Sequence, residues 1–390
     1  RVIRCLTLLH ENGETMAKKT ASKAGKMSIA DMRAMINKQA GINVAHSLTE
    51  KNPTQVPYWI PTGSRWLDSI ISRGEIAGIP GAKISELAGL ASTGKSYMAA
   101  QVAANAQKMG MDVFYFDSES AIDPEFLKNA GCNLDELMYI QAMSVEFVLE
   151  TIETLLASNN NRMLFIWDSL ALTPAISDIE GDFNPQSSMA VKARILAKGL
   201  SKLIIPIANS ESTFLILNQL KANITRSPSE AMTTPYMTPG GKATIYSYSL
   251  RIWLTGRKAK ASFVTDDKGF RVGSEVKVKL EKSRFGTQGR QCNFKILWGN
   301  KIGIQDDESL FDAISSSESL KRLGAWYELH DADGKALGSK FQSTKWTDRM
   351  KDDVFRQRVY EIMDEEIIFK FDKRLGNASD FYEEKQEVEN

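Results

Sequence analysis

The stretch Gly89–Ser96 reads G-x-x-x-x-G-K-S, and it constrains the fold more than any other part of the sequence. This pattern forms the turn between a buried strand and a helix, where glycines permit the turn and backbone N–H groups can face phosphate oxygens. A predicted strand at 83–89 and a predicted helix at 96–109 flank it here. We therefore expect a nucleoside triphosphate to contact the whole loop, which comprises Gly89, Leu90, Ala91, Ser92, Thr93, Gly94, Lys95 and Ser96.

Two side chains of the loop and one more distant carboxylate could hold the phosphates and a magnesium ion. The ammonium of Lys95 would reach the β- and γ-phosphates, and the hydroxyl of Ser96 would bind Mg²⁺. Asp168 ends the apolar run MLFIWD, at the carboxyl end of a predicted buried strand, where a second contact to Mg²⁺ belongs. An aspartate at a strand end is more often a turn residue or a helix cap, but beside a phosphate loop the metal role is the better interpretation.

The segment FYFDSESAIDP combines the end of a predicted strand with an acidic loop. Glu119 lies near the strand end, where its carboxylate could polarise a water molecule for attack on the γ-phosphate. Asp117, Glu119 and Asp123 could equally be the solvated charges of an ordinary strand-to-helix loop. Spacing alone leaves these two interpretations open.

The alternation of apolar and helical segments predicts the architecture around the loop. Apolar runs at 112–119, 162–169 and 212–219 read as buried strands, and helical stretches at 144–157 and 189–206 lie between them. Near-continuous apolar strands joined by helices predict an α/β fold, in which helices cover both faces of a mostly parallel sheet. The later runs SLRIWLTG, SEVKVKLEK and CNFKILWG lack intervening helices, so we expect them to add antiparallel strands at the sheet edge.

Composition excludes some classes of protein. Lys and Arg total 49 and Asp and Glu total 48, so the net charge is +1, and any affinity for nucleic acid must come from local clusters of charge. No apolar run approaches the length of a membrane span. A disulfide framework or a zinc site is not expected, and a reducing compartment fits, because no C-x-x-C pair occurs and the three cysteines lie far apart, at Cys5, Cys132 and Cys292.

The chain divides into five predicted segments. We expect residues 1–27 to be a disordered leader, with translation beginning at Met16. Residues 28–55 hold an amphipathic helix and a linker, which pack either on the chain's own core or on a neighbouring subunit. The remaining segments are the nucleotide-binding core at 56–302, a small second domain at 303–372 and an acidic tail at 373–390.

Further motifs follow the phosphate loop in a defined order: FDSESAIDP, WDSLALTP, IEGDFNPQSSMAVKAR, LILNQL, PGGKA, VKLEKSR and LGAWYEL. With GLASTGKS, this set resembles the RecA family of homologous-recombination ATPases, which includes bacterial RecA and phage UvsX-type relatives. The resemblance covers roughly residues 28–372. It implies a RecA-like P-loop ATPase core, preceded by an N-terminal helix and followed by a small C-terminal α/β domain.

The resemblance also implies a function. Members of such a family are cytoplasmic DNA recombinases, which use ATP and Mg²⁺ to form helical filaments of many copies on single-stranded DNA, pair it with homologous double-stranded DNA and exchange strands. The implied enzyme activity is DNA-dependent ATP hydrolysis. A ring helicase or another DNA motor with the same fold is the alternative, against which the VKLEKSR and LGAWYEL segments argue. A DNA-coating protein without catalysis is a third hypothesis.

At the nucleotide site, the resemblance assigns roles to residues outside the loop. Glu119 matches the family's catalytic glutamate, which acts with Lys95, and Gln219 matches the glutamine that senses the γ-phosphate. Asp123 and Phe126 match residues that flank the adenine, with Phe126 in place of a tyrosine. Two basic residues match side chains that reach the ATP of an adjacent subunit, namely Lys282 and Arg284.

Two loops match the family's DNA-contacting loops, at about 180–188 and about 220–241. The second loop is long and rich in Gly, Pro and Thr, and the resemblance implies that it is longer than in bacterial members of the family. Asn223 and Ser201 stand where a lysine and an arginine are usual, so phosphate contacts at these positions would be lost or moved. The candidate DNA-binding residues are Met189, Arg194, Lys221, Ile224, Arg226, Gly240, Gly241 and Lys242.

Overall fold

The structure is a computed structural model, in which the described residues fall into two compact units, one within residues 1–55 and the other within residues 56–390. In the first unit, helix α1 spans Ile29–Ala40. It begins as expected, because the Ser28 hydroxyl accepts a hydrogen bond from the backbone N–H of Asp31 at 3.1 Å. The residues that the structure describes are 27–41, 43–73, 75–158, 161–181, 189–223, 235–256, 262–298 and 302–368.

The second unit contains all the described strands. In chain order they are β1 (Trp59–Ile60), β2 (Ile79–Pro80), β3 (Ile84–Gly89), β4 (Asp112–Asp117), β5 (Leu137–Gln141), β6 (Met163–Asp168), β7 (Thr213–Gln219), β8 (Lys221–Ala222), β9 (Tyr236–Met237), β10 (Leu250–Thr255), β11 (Phe263–Thr265), β12 (Arg271–Ser283), β13 (Gln291–Trp298), β14 (Ile302–Gln305), β15 (Leu320–Leu323) and β16 (Trp326–Leu329).

Helices connect these strands. They are α2 (Arg65–Ile71), α3 (Lys95–Lys108), α4 (Pro124–Asn129), α5 (Val145–Ser158), α6 (Ile176–Glu180), α7 (Met189–Asn209), α8 (Lys242–Ser247), α9 (Asp307–Ile314), α10 (Trp346–Arg349) and α11 (Asp353–Met363). Short 3-10 helices occur at Leu134–Glu136 and Ser343–Lys345, and a π-helical turn extends α11 at Asp364–Ile368.

A central sheet dominates the second unit, with the strand order β14-β13-β12-β10-β3-β7-β6-β4-β5. The six strands from β10 to β5 are parallel to their neighbours, whereas β12, β13 and β14 pair antiparallel and β11 pairs with β12. Helices cover both faces. The predicted α/β class with a mostly parallel sheet is therefore confirmed.

Side chains of β6 show how the two faces are buried. Leu164 and Ile166 belong to the hydrophobic cluster that includes α3, and Phe165 and Trp167 belong to the cluster that includes α5 and α7. Successive residues of a strand point to opposite faces. A continuous apolar run is therefore required where helices cover both sides.

One strand differs from the sequence-based expectation. The run SLRIWLTG was expected to be antiparallel, but β10 pairs parallel with β3, from Leu250 opposite Ser85 to Leu254 opposite Gly89. The reason is the short helix α8, which precedes β10 and brings the chain back to the same end of the sheet. The other two runs form β12 and β13, which are antiparallel as expected.

Residues beyond β14 build a separate hydrophobic cluster. Trp346 lies at its centre, with ring centroids 5.0 Å from Phe311 and 5.5 Å from Phe355. β14 itself joins the main sheet. The segment boundaries expected from the sequence, including the small second domain at 303–372, stay predictions, and most of the leader (1–27) and the whole acidic tail (373–390) lie outside the described residues.

Two further expectations concern cysteines and membrane spans. Cys132 and Cys292 are free thiols buried in the protein, and Cys5 lies outside the described residues. Among the helices that the structure describes, none combines the length and the apolar character that crossing a membrane requires.

We predict that Trp346→Ala lowers the free energy of unfolding of the cluster beyond β14 by about 3–5 kcal/mol, because it leaves a cavity among packed aromatic rings. Trp326→Ala is the matched control, since Trp326 is 47% exposed, and its expected cost is below about 1 kcal/mol. Urea denaturation followed by amide hydrogen exchange in residues 302–368 measures both. Equal losses in the two variants would contradict the packing described here.

Candidate ATP-binding site

The parallel strands bring the predicted site residues to one edge of the sheet. Gly89, at the end of β3, lies opposite Gln219, at the end of β7. Asp117 at the end of β4 likewise lies opposite Asp168 at the end of β6. Ligands bind at the carboxyl ends of parallel strands in such sheets. The strand order therefore positions the site residues, in addition to the phosphate loop itself.

The phosphate loop has the conformation that its glycines permit. Gly94 has φ +81°, a left-handed conformation, and a Cβ added to Gly89 would lie 2.6 Å from the Thr93 hydroxyl. That hydroxyl donates to the carbonyl oxygen of Leu90 at 2.8 Å. Lys95 Nζ donates to the same carbonyl at 3.0 Å, so its ammonium lies over the loop. Burial lowers the pKa of Lys95, although the nearby carboxylates of Asp168 and Glu119 raise it.

Asp168 is held by two hydroxyl groups. Its Oδ2 accepts from Ser96 Oγ at 2.7 Å and from Tyr115 Oη at 2.9 Å. Burial raises the pKa of Asp168, and the two hydrogen bonds lower it. The sequence predicted Ser96 and Asp168 as partners, and the structure brings them together. Tyr115 was missed, because its position inside an apolar strand gives no sign that its hydroxyl faces a carboxylate.

Asp117 organises the loop that carries Glu119. Its Oδ1 accepts from the backbone N–H of Glu119 at 2.8 Å and of Ser120 at 3.1 Å, and its Oδ2 accepts from Ala121 at 3.0 Å and Ile122 at 3.3 Å. Asp117 is only 4% exposed. It is therefore a buried loop anchor and not a solvated charge. The sequence contained a sign of this role, because the apolar run FYFD ends in an aspartate just as FIWD does at Asp168.

Glu119 and the residues expected around the adenine line two adjoining cavities. Glu119 shares a cavity of about 330 Å³ with Ser96 and Asp168. A larger cavity of about 690 Å³ extends from the loop to Phe126 and Trp298. The rings of Phe126 and Trp298 at its wall could stack on a base.

Asp123 and Phe126 both line this larger cavity. The ring of Phe126 packs edge-to-face against Tyr97, with centroids 5.6 Å apart. Asp123 caps α4, because its Oδ1 accepts from the backbone N–H of Glu125 at 2.9 Å. Trp298 was not predicted, and its 47% exposure marks it as an aromatic ring available at the cavity wall.

Lys282 and Arg284 lie away from this site in their own chain. In the sheet, Lys282 of β12 lies opposite Arg251 of β10, and Arg251 lies opposite Glu86 of β3. Lys282 is therefore level with the first half of β3 and not with its end, where the phosphate loop begins. Lys282 Nζ donates to the carbonyl oxygen of Ile245 at 2.7 Å, and Arg284 donates to that of Tyr246 at 2.8 Å, so both cations bind the carboxyl-terminal carbonyls of α8.

The charge state of Lys282 is sensitive to these surroundings. Burial, together with the guanidinium groups of Arg284 and Arg251, lowers the pKa of Lys282 to about 8. A nearby anion such as a phosphate would reverse part of this effect, because opposite charges favour the ionised form.

The described DNA-binding candidates lie near the start of α7 and at the two ends of the second candidate DNA loop. Arg194, Lys221 and Lys242 are exposed. Gly240 and Gly241 have φ +110° and +83°, and a Cβ on Gly241 would lie 3.2 Å from Ala193 of α7. Met189 begins α7.

Ile224 and Arg226 lie outside the described residues, as do most of the first loop and the middle of the second. The structure therefore places together the two ends of the second candidate loop and the helix that follows the first. It leaves their tips undescribed. A lysine that was not predicted, Lys192, supports this region, because its Nζ donates to the carbonyl oxygens of Leu170 at 3.0 Å and Thr173 at 2.6 Å.

A phosphate loop between β3 and α3, facing an aspartate at the end of β6, defines the class of P-loop nucleoside triphosphatases. Comparison with known families narrows this class. The model of the RecA N-terminal domain matches residues 27–303, and the chain therefore belongs to the RecA family of recombinases.

Individual relatives agree with this assignment. The chain is 33% identical over 316 residues to Protein RecA of Fusobacterium nucleatum, and this alignment covers 80% of this chain and 79% of that protein. It is 30% identical over 321 residues to Protein RecA of Saccharopolyspora erythraea, covering 82% and 87% of the two chains. Against Protein RecA of Chlamydia caviae, the identity is 28% over 330 residues, with coverage of 84% and 90%. The sequence-based resemblance is thereby confirmed.

We predict that Gly94→Ala weakens ATP binding at least about tenfold, because an alanine is strained at the left-handed φ of this position and its Cβ would also displace the end of the Ile296 side chain. Gly110→Ala is the matched control. Its φ is +74°, but nothing lies within 4 Å of the added Cβ. Titration with a fluorescent ATP analogue compares the two variants, and equal affinities would show that the loop conformation does not matter for binding.

Proposed function

We propose that the chain uses ATP and Mg²⁺ to form a helical filament on single-stranded DNA, where it pairs that strand with homologous double-stranded DNA and exchanges strands. One observation carries this proposal. A single edge of the sheet holds the phosphate loop and Gln219, and the chain continues from Gln219 directly into the second candidate DNA loop.

ATP would bind with its phosphates over the loop and its base in the larger cavity. The Lys95 ammonium would exchange its bond to Leu90 for the β- and γ-phosphates, since phosphate is the stronger acceptor. Phe126 and Trp298 would contact the base. Partial burial of Lys95 strengthens its charge interaction with the phosphates.

The donor set near the phosphates fits a magnesium ion. The Ser96 hydroxyl and the Asp168 carboxylate lie 2.7 Å apart, and both are oxygen ligands of the kind that Mg²⁺ prefers. Bound there, the ion would neutralise negative charge on the phosphates.

Glu119 is the proposed base for hydrolysis. Its carboxylate would accept a proton from the water that attacks the γ-phosphorus, while the bond to the β-phosphate oxygen breaks and ADP leaves. Asp117 positions Glu119 through four backbone hydrogen bonds. Gln219 would sense the γ-phosphate with its amide.

The adjacent copy of the chain would complete each ATP site. Lys282 and Arg284 are bonded to α8, and Lys282 lies level with Glu86 in the sheet and not with the phosphate loop. We therefore assign both cations to the ATP of a second protomer. ATP bound between protomers would stabilise the filament. Arg194, Lys221 and Lys242 would then contact DNA phosphates. A cytoplasmic location stays a prediction.

We predict that Glu119→Gln retains ATP binding and filament formation on single-stranded DNA but lowers DNA-dependent hydrolysis by about 100-fold or more, because it removes the base and keeps the side-chain size. Lys95→Ala should abolish both filaments and hydrolysis. Electron microscopy with single-stranded DNA and ATP, beside a hydrolysis assay, tests both variants. Closed rings formed by the unmodified chain would instead favour a helicase.

We also predict complementation between two inactive variants. A Lys95→Ala protomer keeps Lys282, and a Lys282→Ala protomer keeps Lys95, so a mixed filament contains some interfaces with both lysines intact. Mixing the variants should restore part of the DNA-dependent hydrolysis, whereas each alone stays inactive. A mixture as inactive as its components would contradict a site shared between protomers.

A further inference from the structure

A buried polar network lies beneath the exit of the second candidate DNA loop. We call it the Glu86 network. It consists of Glu86 on β3, Asn218 on β7, Arg251 on β10 and Thr238 in the segment between β9 and α8. Glu86, Asn218 and Arg251 are 1%, 0% and 4% exposed, so these polar groups have been removed from water.

One carboxylate holds the network together. Glu86 Oε1 accepts from Asn218 Nδ2 at 2.9 Å, and Glu86 Oε2 accepts from Arg251 Nε at 2.6 Å. Arg251 Nη2 donates to Thr238 Oγ1 at 2.9 Å, and Asn218 Nδ2 donates to the carbonyl oxygen of Pro239 at 3.0 Å. The two partners of Glu86 therefore bind consecutive residues at the loop exit.

The same network also contacts residues of the nucleotide site. Asn218 Oδ1 accepts from the backbone N–H of Gln219 at 2.9 Å, and Gln219 lies opposite Gly89 of the phosphate loop. Glu86 belongs to the strand that ends at Gly89. The backbone of Leu220 adds a direct link, because its N–H donates to the Gly89 carbonyl at 3.0 Å.

Stability alone does not account for these residues. A buried ion pair gains little over apolar residues of similar volume, because desolvation offsets the attraction between the charges. A forked guanidinium does, however, fix two acceptors in one geometry. Here those acceptors belong to Glu86 in the sheet and to Thr238 at the loop exit.

We propose that the Glu86 network consists of positioning residues, which hold Thr238 and Pro239 in a fixed place relative to Gln219. A contact between Gln219 and the γ-phosphate then alters the position of Thr238 and Pro239, and DNA bound next to these two residues alters the ATP site in return. This inference rests on the proposed function and adds the residues that connect its two sites.

The test removes one hydroxyl. Thr238→Val deletes the acceptor for Arg251 with little change in volume, and we expect the stimulation of ATP hydrolysis by single-stranded DNA to fall about fivefold, the effect of one lost hydrogen bond. Thr238→Ser should retain the stimulation. The matched control is Thr154→Val on α5, whose hydroxyl donates to the Glu150 carbonyl at 2.9 Å.

A double-mutant cycle separates positioning from a general structural effect. Arg251→Lys keeps the positive charge beside Glu86 but loses the fork, so it should also lower the stimulation. Combined with Thr238→Val, it should lower the stimulation no further, because both changes remove the same bond. Effects that multiply, or stimulation of Thr238→Val equal to that of Thr154→Val, would overturn the inference. If the unmodified chain shows no stimulation by DNA, the proposed function itself fails.

Discussion

The parallel pairing of β3, β6 and β7 is the constraint on which the nucleotide site depends. Because these strands run in the same direction, their carboxyl ends place Gly89, Asp168 and Gln219 at one edge of the sheet. The phosphate loop, the proposed magnesium ligand and the proposed γ-phosphate sensor would not meet under any antiparallel arrangement. The site is thus a consequence of topology, because the parallel strands, buried by their apolar faces, end at the edge where these residues meet.

Hydrogen bonds within the protein hold the site groups where ligand atoms would later compete for them. Lys95 bonds to a loop carbonyl, and Ser96 bonds to Asp168. Lys282 and Arg284 similarly bond to the carbonyls of α8, the helix that follows the second candidate DNA loop. Lys95 and Lys282 are both partly buried, which would strengthen their charge interactions with a phosphate bound within reach.

Local patterns in the sequence predicted the phosphate loop and most of the sheet, because a Gly-rich turn and continuous apolar runs depend on neighbouring residues. Groups that depend on distant partners were missed. Asp117 looked like a loop charge because its four N–H partners become visible only when the loop folds over it. Arg251 was not singled out within its strand, because its partner Glu86 lies far away in the chain. The direction of β10 also depended on α8, which is too short to give a clear periodic signal.

We propose that ATP binds at the sheet edge of one protomer and that residues of the next protomer complete its binding site. The most direct measurement is a cryo-electron microscopy structure of the chain on single-stranded DNA with Mg²⁺ and a non-hydrolysable ATP analogue. We predict that Lys95 leaves the Leu90 carbonyl for the triphosphate and that Lys282 of the neighbouring protomer leaves α8 for the same triphosphate. A nucleotide contacted by one protomer only, with Lys282 still bound to the Ile245 carbonyl, would contradict it.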